Sequence, residues 1–183
     1  MLQEQLEESF AFYAAYHQNN INKIIHMITI PLISITLFVF LAYLPNYQYG
    51  FENKLLNDIF SVTFAIPLIV LYLGLYLMMD WKAGCLMIPY ILLHYFLANL
   101  YRFNVPYGWI GAIVIFVLSW IFQFMGHGIW EGRKPALSDS LVQSFLMAPF
   151  FVFFEILFMC GFRKEFQQNI DYKSQFHDPL IQT

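Results

Sequence analysis

Four of the five histidines in this 183-residue chain, His17, His26, His94 and His127, stand in or beside apolar sequence. A polar ring there needs a partner, because an unpaired buried donor or acceptor costs roughly 1–3 kcal/mol in proteins and more in hydrocarbon. The partner is either another polar group or a metal ion. His17 and His26 lie nine positions apart, about 900° of helical rotation, so an unbroken helix would place them on opposite faces. They converge only if the helix breaks between them, and Asn19-Asn20 supplies a break that would let both rings reach one metal. The competing reading is that His17 closes its helix end and His26 bonds to interfacial water. His127 sits between Gly126 and Gly128, which leave its ring unshielded, and Glu131 follows four residues later. If helix continues there, the Glu131 carboxylate shares a face with His127 and could ligate a metal or orient the imidazole through its second nitrogen. A His–Glu pair that merely closes the helix end fits the same spacing. His94 falls in the middle of an apolar run, where an ionisable group is a functional candidate by default, although a bond to Tyr, Gln or backbone on a neighbouring helix would also satisfy it. Arg133 and Lys134 form the adjacent basic pair nearest these residues. They suit a carboxylate headgroup, or plain anchoring at a membrane surface.

The elements that must position these groups are membrane helices. Apolar residues make up 60% of the chain, aromatics 20% and charged residues 11%, with 21 Phe and 12 Tyr, more than one water-soluble core of this size encloses. A bilayer span needs about 20 mostly apolar residues. Stretches 24–44, 59–79, 83–101 and 107–126 meet that length, and a fifth apolar run at 141–162 is interrupted by Gln143, Pro149 and Glu155. Residues 2–18 read as a separate amphipathic helix, since Leu2, Leu6, Phe10, Tyr13 and His17 recur at helical spacing while Glu4, Glu7 and Glu8 avoid that stripe. Asn22 is the expected N-cap of the first span. The predicted fold is therefore an all-α, polytopic membrane helix bundle forming a single domain over 1–183. It has four spanning helices, a fifth apolar segment, an N-terminal amphipathic helix and a polar tail at 163–183 that includes His177.

Four spans return the chain to its starting side, so His17, His26 and His127 would share one membrane face. Lys23, Lys82, Arg133 and Lys134 fall on that side and Lys54 and Arg102 on the other, a bias that makes the histidine side cytoplasmic and favours a fifth segment that does not cross. Glu155 within that segment requires a cation or a histidine on a neighbouring helix. The nine basic residues are not clustered, which excludes a nucleic-acid footprint, and Cys85 and Cys160 give neither a zinc motif nor a disulfide framework.

The segment His17-x4-Asn22-Lys23-x2-His26 before a spanning helix carries a resemblance. So does Trp120-Ile121-Phe122-Gln123-Phe124-Met125-Gly126-His127 with Glu131, Arg133, Pro135-Ala136-Leu137, Asp139, Gln143 and Ala148-Pro149. Together they closely resemble the membrane 2-hydroxy fatty acid dioxygenase family, whose characterised fungal member acts in the endoplasmic reticulum on the route from phytosphingosine to odd-chain fatty acids. The likeness runs from about residue 9 to residue 162, the middle spans matching by hydropathy alone. It implies Fe(II)-dependent α-oxidation, in which a long-chain 2-hydroxy fatty acid and O2 give CO2 and the acid one carbon shorter. His17, His26 and His127 match the family's histidine motifs; His94 aligns with none. Glu131 and Arg133 fall within the second motif. The host membrane would be the endoplasmic reticulum in a eukaryote or the inner membrane in a bacterium.

Three classes of function remain open on sequence alone. The first is this iron oxygenase. The second is a membrane hydroxylase or desaturase, which ordinarily needs HxxHH-like clusters that are missing here. The third is a transporter or structural membrane protein whose histidines only make helix contacts.

Overall fold

The computed structural model describes residues 2–132 and 143–176, and among them all regular structure is helical apart from one antiparallel bridge between Tyr47 and Val62. In chain order the helices are α1 (Leu2–Tyr16), α2 (Asn20–Ala42), α3 (Lys54–Ile59), α4 (Ala65–Met79), α5 (Trp81–Asn104), α6 (Gly108–Met125), α7 (Ala148–Met159) and α8 (Lys164–Ser174). Short π-helical segments, Gly126–Glu131 and Gln143–Met147, follow α6 and precede α7.

Local chemistry sets the ends. The α1 helix stops one residue before His17, and α2 opens where the Asn19 side chain accepts a hydrogen bond from the Ile21 N–H at 2.9 Å. Asp80 caps α5 by accepting from Lys82 and Ala83 at 3.0 and 3.1 Å. That helix ends before Val105-Pro106, since the residue preceding a proline disfavours the helical region. Pro149 sits in the first turn of α7, where its missing N–H costs nothing.

Among the described residues three helices are long and apolar enough to cross a membrane: Asn20–Ala42, Trp81–Asn104 and Gly108–Glu131. The expected span 59–79 begins on the last residue of α3 and forms a continuous helix only from Ala65, giving 15 residues. At about 1.5 Å per residue these rise roughly 22 Å, short of the ~30 Å of hydrocarbon. Residues before Ala65 are drawn into other bonds: Ser61 Oγ donates to the Asn57 carbonyl at 2.7 Å, and the Ser61 carbonyl accepts from Tyr95 Oη and from Asn99 Nδ2.

The chain divides into two compact units, Met1–Ile30 with Ile121–Thr183, and Pro31–Trp120. In the second, α4 packs closely on α5 because Gly84 leaves no room for a side chain: a Cβ there would lie 2.8 Å from the Leu77 backbone. Arg102 lies over the Tyr43 ring at 3.8 Å. The α6 residues Ile110, Ile113, Val114 and Val117 remain about half exposed, as a lipid-facing surface requires.

In the first unit α1 packs on α8. Leu6, Phe10, Tyr13 and His17 are buried along the stripe the sequence marks. Phe10 stands in an aromatic cluster, with ring centroids 4.4 Å from Phe151, 4.8 Å from Phe154 and 5.7 Å from Phe166. Lys173 of α8 pairs with Glu7 at 2.9 Å and Glu8 at 3.1 Å. The tail expected to be merely polar thus contains a docked helix, with Phe166 and Ile170 buried at i,i+4.

Phe10→Ala should lower stability in detergent by about 3–5 kcal/mol. The comparable truncation Met78→Ala, at an exposed α4 position, should leave the thermal midpoint nearly unchanged.

Candidate metal centre

The break between α1 and α2 brings two imidazoles out of helix ends with their hydrogen bonds already decided. His17 Nδ1 lies 2.8 Å from the carbonyl of Tyr13, and His26 Nδ1 lies 3.0 Å from the carbonyl of Asn22, each four residues earlier. A carbonyl only accepts, so both Nδ1 atoms carry the proton and both Nε2 atoms present a lone pair. His17 Nε2 is buried and has no hydrogen-bond partner.

His127 arrives from the other end of the chain, on the π-helical turn Gly126–Glu131, a wide turn of the kind that recurs at functional sites. The turn is closed by Gly132 at φ +63°, whose N–H donates to the His127 carbonyl. Its Nδ1 is buried without a hydrogen-bond partner. The three rings meet edge-on, with centroids 4.6 Å apart for His17 and His26, 4.7 Å for His17 and His127, and 4.9 Å for His26 and His127. Each is only 3–4% exposed. One nitrogen from each lies within 4.8 Å of the others, and this is the one such group of metal-binding side chains among the described residues.

Three buried imidazoles, two of them with a buried nitrogen that has no hydrogen-bond partner, fit a divalent transition metal. Imidazole suits iron, zinc, copper or nickel, and a three-nitrogen set leaves positions open for other ligands.

Glu131 supplies the brace. Its Oε1 accepts from the Asn19 backbone N–H at 2.8 Å and from Asn22 Nδ2 at 3.1 Å, while Asn19 Nδ2 donates to the Trp130 carbonyl at 3.2 Å. The carboxylate therefore ties the α1–α2 reversal to the His127 turn, and it does not join the three-histidine group. Asn22 is not the N-cap of α2 but a fully buried residue in its first turn. There its carbonyl orients His26 and its amide reaches Glu131. Gly126 makes this possible, since a Cβ at that position would stand 2.2 Å from Asn22 Oδ1. Space around Gly128 is open. The glycine before His127 thus serves helix approach rather than ring access.

Electrostatics keep the cluster ready to bind. Burial, reinforced by His26 and His127, holds the His17 pKa well below the usual imidazole value, so the ring is neutral at pH 7. Tyr13 stacks on His17 with centroids 4.0 Å apart and planes 19° from parallel. Burial, with the Glu155 and Glu131 carboxylates adding to it, holds its phenol well above the ordinary range and therefore protonated. Glu155 finds its cation in Lys23 at 3.1 Å.

The other sequence candidates lie elsewhere. His94 is buried in α5 within the 31–120 unit, 4.3 Å from the Tyr90 ring between centroids, with Nδ1 lacking a hydrogen-bond partner. Arg133, Lys134 and His177 fall outside the described residues. The sequence placed Tyr13 on the apolar stripe of α1 without a part in the site, and gave Asn22 as a cap rather than a buried residue. The i,i+4 spacing of Tyr13 to His17 was the available signal for the first.

A model of the family described as Mpo1-like, 2-hydroxy-palmitic acid dioxygenase Mpo1-like, matches residues 3–160. The chain belongs to the Mpo1-like family. Its relative in Saccharomyces cerevisiae, the 2-hydroxy-palmitic acid dioxygenase MPO1, is 35% identical over 167 residues, covering 91% of this chain and 88% of the yeast protein. No solved structure matches the chain. The matched region of this Mpo1-like protein contains all three clustered histidines and ends before α8.

Gly126→Ala should push Asn22 away and weaken metal retention by about 10–100-fold, as losses around ligating residues do. Combining it with Asn22→Ala should relieve the clash and restore part of the metal content measured by elemental analysis. Glu131→Ala, which strands the Asn19 and Asn22 donors, should destabilise the protein by roughly 1–3 kcal/mol, and Glu131→Gln by less.

Proposed function

We propose that this chain is a membrane Fe(II)-dependent dioxygenase that carries out α-oxidation of long-chain 2-hydroxy fatty acids. The observation carrying the proposal is the convergence of His17, His26 and His127, with nitrogens within 4.8 Å of one another, in a member of the Mpo1-like family. The yeast relative's name supplies the substrate class. The proposed reaction balances as 2-hydroxy acid plus O2 giving the acid one carbon shorter, CO2 and water. The bond between the carboxyl carbon and C2 breaks, C2 is oxidised to the new carboxyl, O2 is reduced, and no external reductant is consumed.

His17, His26 and His127 would hold the metal, with His17 and His26 presenting Nε2 because their Nδ1 protons are engaged by carbonyls. Iron held there would supply O2 activation and help to position the substrate. The protein's own contribution is positional. Glu131 locks the two chain segments together, burial excludes bulk water from the donors, and Lys23 offers a positive charge that offsets Glu155. Arg133 is proposed to assist the carboxylate. The acyl chain is proposed to follow the apolar helix faces into the bilayer of the endoplasmic reticulum in a eukaryotic host, or the inner membrane in a bacterial one.

Incubating the iron-loaded, purified protein with a long-chain 2-hydroxy acid under O2 should yield, by mass spectrometry, the acid shortened by one carbon. His17→Ala, His26→Ala and His127→Ala should each lose bound iron and lower turnover at least about a thousandfold, the scale of a lost catalytic group. Failure of metal-replete wild-type protein to form that product would refute the proposal.

A further inference from the structure

Tyr13 is attached to the site twice. Its carbonyl accepts a hydrogen bond from the His17 Nδ1–H, and its ring lies flat on the same imidazole. The phenol hydroxyl is nevertheless buried and has no hydrogen-bond partner. An unsatisfied buried hydroxyl is costly, and phenylalanine would supply the same packing and the same stacking without that cost. The hydroxyl belongs to a ring in direct contact with His17, a candidate ligand. The residue also belongs to α1, whose position is fixed by the Phe10 cluster and by the Lys173 pairs, so the donor is held in place before any ligand arrives.

We infer that Tyr13 Oη is a substrate-binding donor that gives its proton in a hydrogen bond to the carboxylate of the 2-hydroxy acid. The inference rests on the proposed function and adds a residue to it. A carboxylate is the acceptor chosen because charge-assisted bonds are the strong ones, and it suits the unpartnered phenol O–H better than a second neutral hydroxyl does.

The test compares wild type with Tyr13→Phe, iron-loaded and held without O2, by equilibrium dialysis against two probes: 2-hydroxyhexadecanoic acid and 1,2-hexadecanediol, which lacks the carboxylate. Tyr13→Phe should weaken acid binding about 10–100-fold and change diol binding less than about twofold. Iron content should be unchanged and the thermal midpoint equal or higher. Under O2 the variant should raise KM more than it lowers kcat. Unchanged acid affinity, or an equal loss for both probes, would overturn the assignment to the carboxylate. A wild-type protein that binds the acid no better than the diol and forms no shortened product would instead overturn the parent reading.

Discussion

The reversal of the chain at His17 to Asn19 is the constraint on which the site depends. Helical geometry would send His17 and His26 to opposite faces, and only a break lets their rings meet at 4.6 Å. That break leaves backbone and amide donors at Asn19 and Asn22 that must be satisfied within a poorly hydrated setting, and the Glu131 carboxylate satisfies both. One anion therefore closes the reversal and fixes the turn carrying His127. The local preference of asparagine for helix boundaries and the distant glutamate are two halves of one device.

The same economy appears in the rings. Each of His17 and His26 uses a carbonyl one turn back to settle its tautomer, so the donor nitrogen is chosen by the helix itself and not by a separate acidic partner. Packing then holds the helices that hold the rings. Phe10 anchors α1 against α7 and α8, and Lys23 with Glu155 ties α2 to α7.

Much of this was legible in the residues. Hydropathy marked the long helices, and the 3.6-residue stripe of Leu6, Phe10, Tyr13 and His17 marked the buried face of α1. The histidine motifs, the Asn19-Asn20 break and the need of Glu155 for a cation could all be read directly. What escaped was set by contacts distant in sequence. The late start of α4 depends on Tyr95 and Asn99 capturing the Ser61 carbonyl, some 34 and 38 positions away. The burial of Asn22 depends on Gly126, and periodicity alone cannot show that the turn after α6 widens. The docking of α8 was signalled by Phe166 and Ile170, but the polar majority of that segment concealed it.

The widened turn at Gly126–Glu131 has a genetic consequence. A π turn amounts to one residue inserted in an α-helix, and it sets the angular register of every side chain beyond it. Losing the Gly126 codon, the one position of that turn that precedes His127, would leave composition and hydropathy almost untouched. His127 would swing about 100° round the axis, and an otherwise healthy membrane helix would carry its imidazole away from its two companions.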